Sequence, residues 1–223
     1  MSFGADDARR LDGLVRALAD PLAPTSVHEA AAIREVHIAD SRAGLELQEV
    51  REARRIADLG IGAGLPGLVL AVELPEAEVV LVESVRKKCA WIEATAERLG
   101  LGNVQVVCAR AEEVHEVFDV VTARALAALP VLCEYAAPLL GDGGVLVAWK
   151  GAVDGAEDAD GLAAADVLGL RREEVRAVSP YSGSERRTLH VFRKVAPTPG
   201  GYPRRPGMAV KRPLRGRSGR APR

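Results

Sequence analysis

The sequence predicts an α/β fold built on a doubly wound parallel sheet. Three observations predict it: short β-rich apolar runs alternate with helical segments from about residue 55; those runs are apolar on both faces; and a glycine-rich turn joins the first run to the helix after it. Strands covered by helices on two sides read as near-continuous apolar runs. Repeated β-α-β units then make the doubly wound sheet the natural arrangement.

In chain order, residues near 5–19 and 28–43 carry helical spacing of apolar positions, as in Leu11, Leu14, Val15 and Leu18. Asp20–Thr25 between them is turn-like, and Ser26 suits an N-cap for the second helix. The predicted strands are Arg55–Leu59, Glu78–Val82, Val104–Cys108, Phe118–Ala123, Gly144–Trp149, Arg171–Val178 and Arg187–Lys194. Helices are expected from about Pro66, over 85–98, over about 130–139 and over 155–169. Beyond Val195 the Pro, Gly and Arg content removes any packing pattern and predicts an extended or disordered arm. The organisation is therefore a helical segment over 1–45, a core over 46–195 and a basic arm over 196–223.

The chain has 223 residues, enough for one α/β domain with appendages, and a hydrophobic fraction of 48%. No apolar run approaches the ~20 residues of a membrane span, and the acidic N-terminus lacks a secretory h-region. The formal charge of −1 averages two unlike regions. The arm carries Arg204, Arg205, Lys211, Arg212, Arg215, Arg217, Arg220 and Arg223 with no acidic residue, leaving an acidic body. Such a segregated positive end suits a polyanion. Cys89, Cys108 and Cys133 lie far apart in apolar contexts, which argues against disulfides and zinc and reads as three small buried hydrophobes. His28, His115 and His190 are scattered and make no metal-ligand set. The composition calls for no metal, no membrane and a cytoplasmic monomer.

The informative segment is Asp58-Leu59-Gly60-Ile61-Gly62-Ala63-Gly64-Leu65-Pro66-Gly67. Glycines permit positive φ and close backbone approach, and the following helix offers free amide donors. At the end of the next strand, Glu83 can accept hydrogen bonds from both hydroxyls of a ribose. Two cofactors suit this plan, S-adenosylmethionine and a nicotinamide dinucleotide, because Gly62-x-Gly64-x-x-Gly67 also matches the dinucleotide fingerprint. Asp58 favours the first, since its charge suits a cationic amino acid and is poorly placed beside a pyrophosphate. Ala109-Arg110-Ala111-Glu112, after the third strand, favours it too. Arg124 interrupts an apolar stretch, and a buried arginine needs a partner. Lys150, at a strand's C-terminal end, and Arg187 are candidates for gripping phosphate or guanine edges. His37, Asp40 and Ser41 lie on one helical segment, which reads as packing or capping, with RNA contact second. Trp91 reads as core and Trp149 as either core or site.

These residues resemble the glucose-inhibited division protein B family, bacterial methyltransferases acting on guanine nitrogen-7 of 16S ribosomal RNA. The likeness runs from His37-Ile38-Ala39-Asp40-Ser41 through Asp58–Gly67, Val82-Glu83-Ser84, Arg86-Lys87-Lys88, Arg110-Ala111-Glu112-Glu113, Ala123-Arg124-Ala125, Trp149-Lys150-Gly151 and Glu185-Arg186-Arg187. It continues through Thr198-Pro199, Tyr202-Pro203-Arg204-Arg205, Gly207 and Lys211-Arg212-Pro213-Leu214. The family's Asn-Leu-Thr is here Ala23-Pro24-Thr25, and the leading segment is short. The resemblance implies a seven-stranded, Rossmann-like class I methyltransferase sheet. It implies cofactor contacts from Gly60, Gly62, Gly64 and Leu65, ribose binding by Glu83 and adenine binding by Ala111 and Glu112, with Arg124 facing the pocket. It implies 16S rRNA or the small subunit as partner. A methyltransferase for another RNA or a small molecule, and a dinucleotide-dependent oxidoreductase, are the competing readings.

Overall fold

Strand β1 (Arg55–Leu59) forms the middle of the molecule because its residues alternate between two apolar layers: Ile56 faces one, Ala57 and Leu59 the other. The computed structural model describes residues 4–216. Around β1 lie β2 (Glu78–Val82), β3 (Val104–Val107), β4 (Phe118–Arg124), β5 (Leu140–Lys150), β6 (Leu170–Val178) and β7 (Arg187–Lys194) in the order β3-β2-β1-β4-β5-β7-β6. The first five pair in parallel, and β7 runs antiparallel to both β5 and β6. The doubly wound expectation holds, with one antiparallel insertion that the all-parallel dinucleotide order 3-2-1-4-5-6 does not contain. The insertion has a useful result. The start of β7 reaches the same edge at which β1, β4 and β5 end.

The helices are α1 (Ala5–Ala19), α2 (Ala30–Ala32), α3 (Asp40–Arg42), α4 (Gln48–Glu52), α5 (Gly67–Glu73), α6 (Arg86–Leu99), α7 (Leu129–Ala136), α8 (Gly155–Leu168) and α9 (Met208–Lys211). Between α2 and α3, Ile33–Ala39 is a π-helix, a form frequent at functional sites. The N-cap of α2 is Glu29, whose carboxylate accepts from the amides of Ala31 and Ala32; Ser26 does not cap it. A carboxylate at a helix N-terminus also meets the favourable end of the dipole. The N-terminal helices join the same core as α5, through Leu14, Leu18 and Ile33. Strand β5 begins at Leu140, four residues before Gly144, because Leu140 pairs with Phe118 across a register shift.

Two expectations need correction. Residues 196–216 are not a free arm: Arg204 chelates the buried Glu134 of α7 at 2.8 and 2.5 Å, Ala209 is buried, and Tyr202 and Leu214 pack on the second apolar layer. Composition missed this because the packing comes from a few residues, led by an ion pair that neutralises a charge on α7. Arg217, Arg220 and Arg223 lie outside the described residues. The second correction concerns Cys108, which is exposed at the sheet edge rather than buried. Among the described residues no helix is long and apolar enough to cross a membrane.

Candidate active site

The glycine loop leaves β1 with Gly60, Gly62 and Gly64 at φ +62°, +55° and +83°, a region that side-chain-bearing residues rarely adopt. At Gly60 a Cβ would also meet Leu126 at 2.3 Å, whereas at Gly62 it would meet open space. Asp58 lies under the loop, fully buried. Its Oδ2 accepts from the Gly67 amide at 2.7 Å, and its Oδ1 from the Thr122 hydroxyl at 2.7 Å. Burial pushes its pKa up to about 7, against the lowering effects of those two donors and of Arg124. In this arrangement Asp58 ties the loop to β4 from a wholly buried position. Leu65 is likewise buried beneath the loop.

Above the loop, Glu83 Oε2 accepts from the Gly62 amide at 3.1 Å and Oε1 from the Val85 amide at 2.9 Å. A carboxylate has about four lone-pair sites, so acceptor capacity remains for hydroxyls. Gly60, Glu83, Ala111 and Glu112 line one cleft of ≈ 370 Å³, together with Lys88, Arg110, Leu126 and Tyr135. That volume is within the range of small-ligand sites, and the cleft opens at the carboxyl edge where such sheets bind ligands. Glu112, on the turn Ala111–Glu113, accepts from the Gly207 amide at 2.8 Å, so the arm forms the outer support of this wall. Burial, reinforced by Glu112, pushes the Tyr135 phenol up to about 12 and keeps it neutral. Ala125 also lines the cleft at φ +54°, a strained backbone position that sequence reasoning had no means to see.

A second group stands beside the cleft. Asp40, wholly buried, accepts from Arg124 Nη1 on Oδ2 and from Arg187 Nε on Oδ1, both at 2.9 Å. Arg124 also donates to the Val36 carbonyl of the π-helix at 3.3 Å. The partner that a buried arginine requires is therefore Asp40, read from sequence as a packing or capping residue with an RNA contact second. Trp149 is core: its indole N–H donates to the Asp40 carbonyl at 2.8 Å. His37 bonds Thr25 at 2.8 Å, and its pKa is lowered by burial and then by Arg124. Lys150 is not offered to a ligand. Its ammonium contacts Glu157 at 2.6 Å and the Ala127 carbonyl at 3.2 Å, and the same Glu157 oxygen accepts the Leu129 amide.

Among the described residues no three His, Cys, Asp or Glu side chains are placed to hold a metal. The geometry thus offers a cleft of small-ligand size with the Glu83 carboxylate in its lining, and next to it the guanidiniums of Arg124 and Arg187, both held by Asp40.

A family model described as rRNA small subunit methyltransferase G matches residues 14–187. A protein of Rubrobacter xylanophilus, Ribosomal RNA small subunit methyltransferase G, is 47% identical over 81% of this chain and 72% of its own length. One of the same name from Desulfitobacterium hafniense is 40% identical over 85% and 81%. Among solved structures, the O-methyltransferase domain StiE O-MT superposes with a TM-score of 0.59 at 12% identity, covering 81% of each chain. That likeness speaks for the fold.

Proposed function

The chain belongs to the rRNA small subunit methyltransferase G family and is an S-adenosylmethionine-dependent rRNA methyltransferase; from that premise we propose that its acceptor is nitrogen-7 of a guanine in 16S ribosomal RNA. The observation that carries the proposal is the joining of the glycine loop to Glu83 through the Gly62 amide, with Ala111 and Glu112 lining the same cleft. The residues fit the cofactor. Gly62 has open space where a side chain would otherwise stand, Glu83 retains lone pairs for ribose hydroxyls, and Ala111 and Glu112 suit an adenine edge.

When bound, the cofactor supplies an electrophilic methyl on a sulfonium. The chain's own task is alignment and exclusion of water, because guanine nitrogen-7 has an in-plane lone pair and needs no deprotonation. Holding nucleophile and methyl in line can contribute ~7–11 kcal/mol in favourable cases. Arg124 and Arg187 are the donors suited to guanine acceptors or to phosphate. The exposed cations of the docked arm, Arg205, Lys211 and Arg212 among them, suit the polyanion, which agrees with a grip that is mostly electrostatic. The reading places the protein as a monomer in the cytoplasm, on the small subunit or its RNA.

A labelled methyl donor, offered with deproteinised small-subunit rRNA and with whole small subunits, tests the proposal. Label in 16S rRNA supports it; label confined to protein or small molecules refutes it.

A further inference from the structure

Beside the cofactor cleft, a second depression of ≈ 330 Å³ lies between Gly151–Ala152 after β5 and the segment from Tyr181 to Arg187 before β7. Its walls are stiff. Ser184 is buried, its hydroxyl is bonded to the Tyr181 carbonyl, and the Arg187 amide donates to the Ser184 carbonyl at 2.8 Å. The Thr188 hydroxyl reaches the Gly151 carbonyl at 3.5 Å across the β5–β7 pairing. Two guanidiniums line the depression. Arg186 is exposed, with no hydrogen bond or ion pair among the described residues. Arg187 is fixed through Nε by Asp40, and neither of its terminal amines has a partner among the described residues.

A guanidinium pinned at Nε presents its two terminal amines as a pre-oriented fork, the geometry that meets a phosphate bidentately. Pinning matters energetically, since immobilising a rotamer-rich side chain on binding costs about 0.5–1.5 kcal/mol. Asp40 removes that loss in advance, and it does the same for Arg124 on β4, on the far side of β5. Antiparallel β7 brings this fork to the edge at which the cofactor loop opens.

We propose that this depression seats an RNA backbone phosphate next to the target guanosine, gripped by Arg187 and Arg186, with Asp40 as the positioning residue that aims Arg187. The inference rests on the RNA-methyltransferase reading and adds a subsite and a role to it. One phosphate contact per arginine contributes about 0.7–0.9 to the slope of log affinity against log salt.

The experiment is a salt series of deproteinised small-subunit rRNA binding to the whole protein, with cofactor Kd by calorimetry and steady-state methyl transfer on the same preparations. Arg187→Gln and Arg186→Gln should each flatten the slope by about 0.7–0.9, with cofactor Kd unchanged within twofold. Asp40→Asn should raise KM for RNA more than it lowers kcat, and most of that rise should vanish in the Arg187→Gln background. Slopes equal to the wild type in both arginine variants overturn the subsite. A KM effect of Asp40→Asn that simply adds to that of Arg187→Gln overturns the positioning role. Should Asp40→Asn fail to fold, Arg186→Gln, an exposed substitution, still decides the subsite. Wild-type protein that neither binds nor labels RNA defeats the parent reading instead.

Discussion

Gly207 donates its backbone N–H to Glu112 across 2.8 Å, so the C-terminal arm braces the turn Ala111–Glu113 at the cleft. Arg204, three residues earlier, closes on Glu134. The arm is thus part of the folded body, and its removal is a stability experiment before it is an RNA experiment.

Arg204→Ala should leave the buried Glu134 carboxylate uncompensated, at about 3 kcal/mol. For a chain of this size that is roughly 6–12 °C in Tm. Thermal denaturation checks it, and Glu134→Gln in the same chain should return part of the loss. An unchanged Tm in Arg204→Ala would show that the arm detaches at no cost.

Gly60→Ala adds a methyl into Leu126 and forces Leu126 into the cleft. Cofactor affinity, by calorimetry, should fall at least tenfold, and Leu126→Ala in the same chain should recover part of it. Gly62→Ala meets no side chain, so its methyl stands in the space argued to take the cofactor and Leu126→Ala should recover none of its loss; its positive φ costs roughly 1–2 kcal/mol in stability. A Gly60→Ala loss that Leu126→Ala leaves unchanged, or a Gly62→Ala loss that it rescues, would contradict this account of the loop.

Asp58 gives a pH signature. Burial raises its folded pKa to about 7, so its contribution to stability is complete below the unfolded value near 4 and is lost as pH rises through 7. His190, buried with a lowered pKa, acts oppositely: its contribution is present above about 6.5 and is lost as pH falls. Denaturant titrations of wild type and Asp58→Asn at several pH values between 5 and 8 separate the two. The stability of wild type relative to Asp58→Asn should decline with rising pH. A flat difference would mean that Asp58 is ionised throughout.

Lys150→Met should remove a half-buried ion pair that joins the end of β5 to α8. The expected outcome is a loss of about 1 kcal/mol with no change in the salt slope of RNA binding. A slope flattened as in Arg187→Gln would return Lys150 to the RNA-gripping group.

The strands and the glycine loop were legible because their signals are local. Apolar runs of Val and Leu in β2 need no distant partner to be recognised, and the positive φ values at Gly60, Gly62 and Gly64 leave glycines in the sequence. The place of Glu83 in the cleft lining was legible from its position at a strand's end. The pairing of Asp40 was not, since its two partners stand 84 and 147 residues away and the motif His37–Ser41 around it points to neither. The arm failed for a related reason, as a Pro- and Arg-rich stretch carries no periodicity even when one buried Glu134 fastens it. Ala125 gives no sign of its left-handed backbone, because alanine is ordinary in any conformation but that one.

The most direct measurement is to map the modified base. Small-subunit rRNA lacking the modification is incubated with the protein and cofactor, cleaved chemically at nitrogen-7-methylated guanines, and read by reverse-transcription stops. One new stop is expected at a guanine of 16S rRNA, absent when cofactor is omitted. Methyl incorporation into the RNA without any such stop, or no incorporation at all, would contradict it.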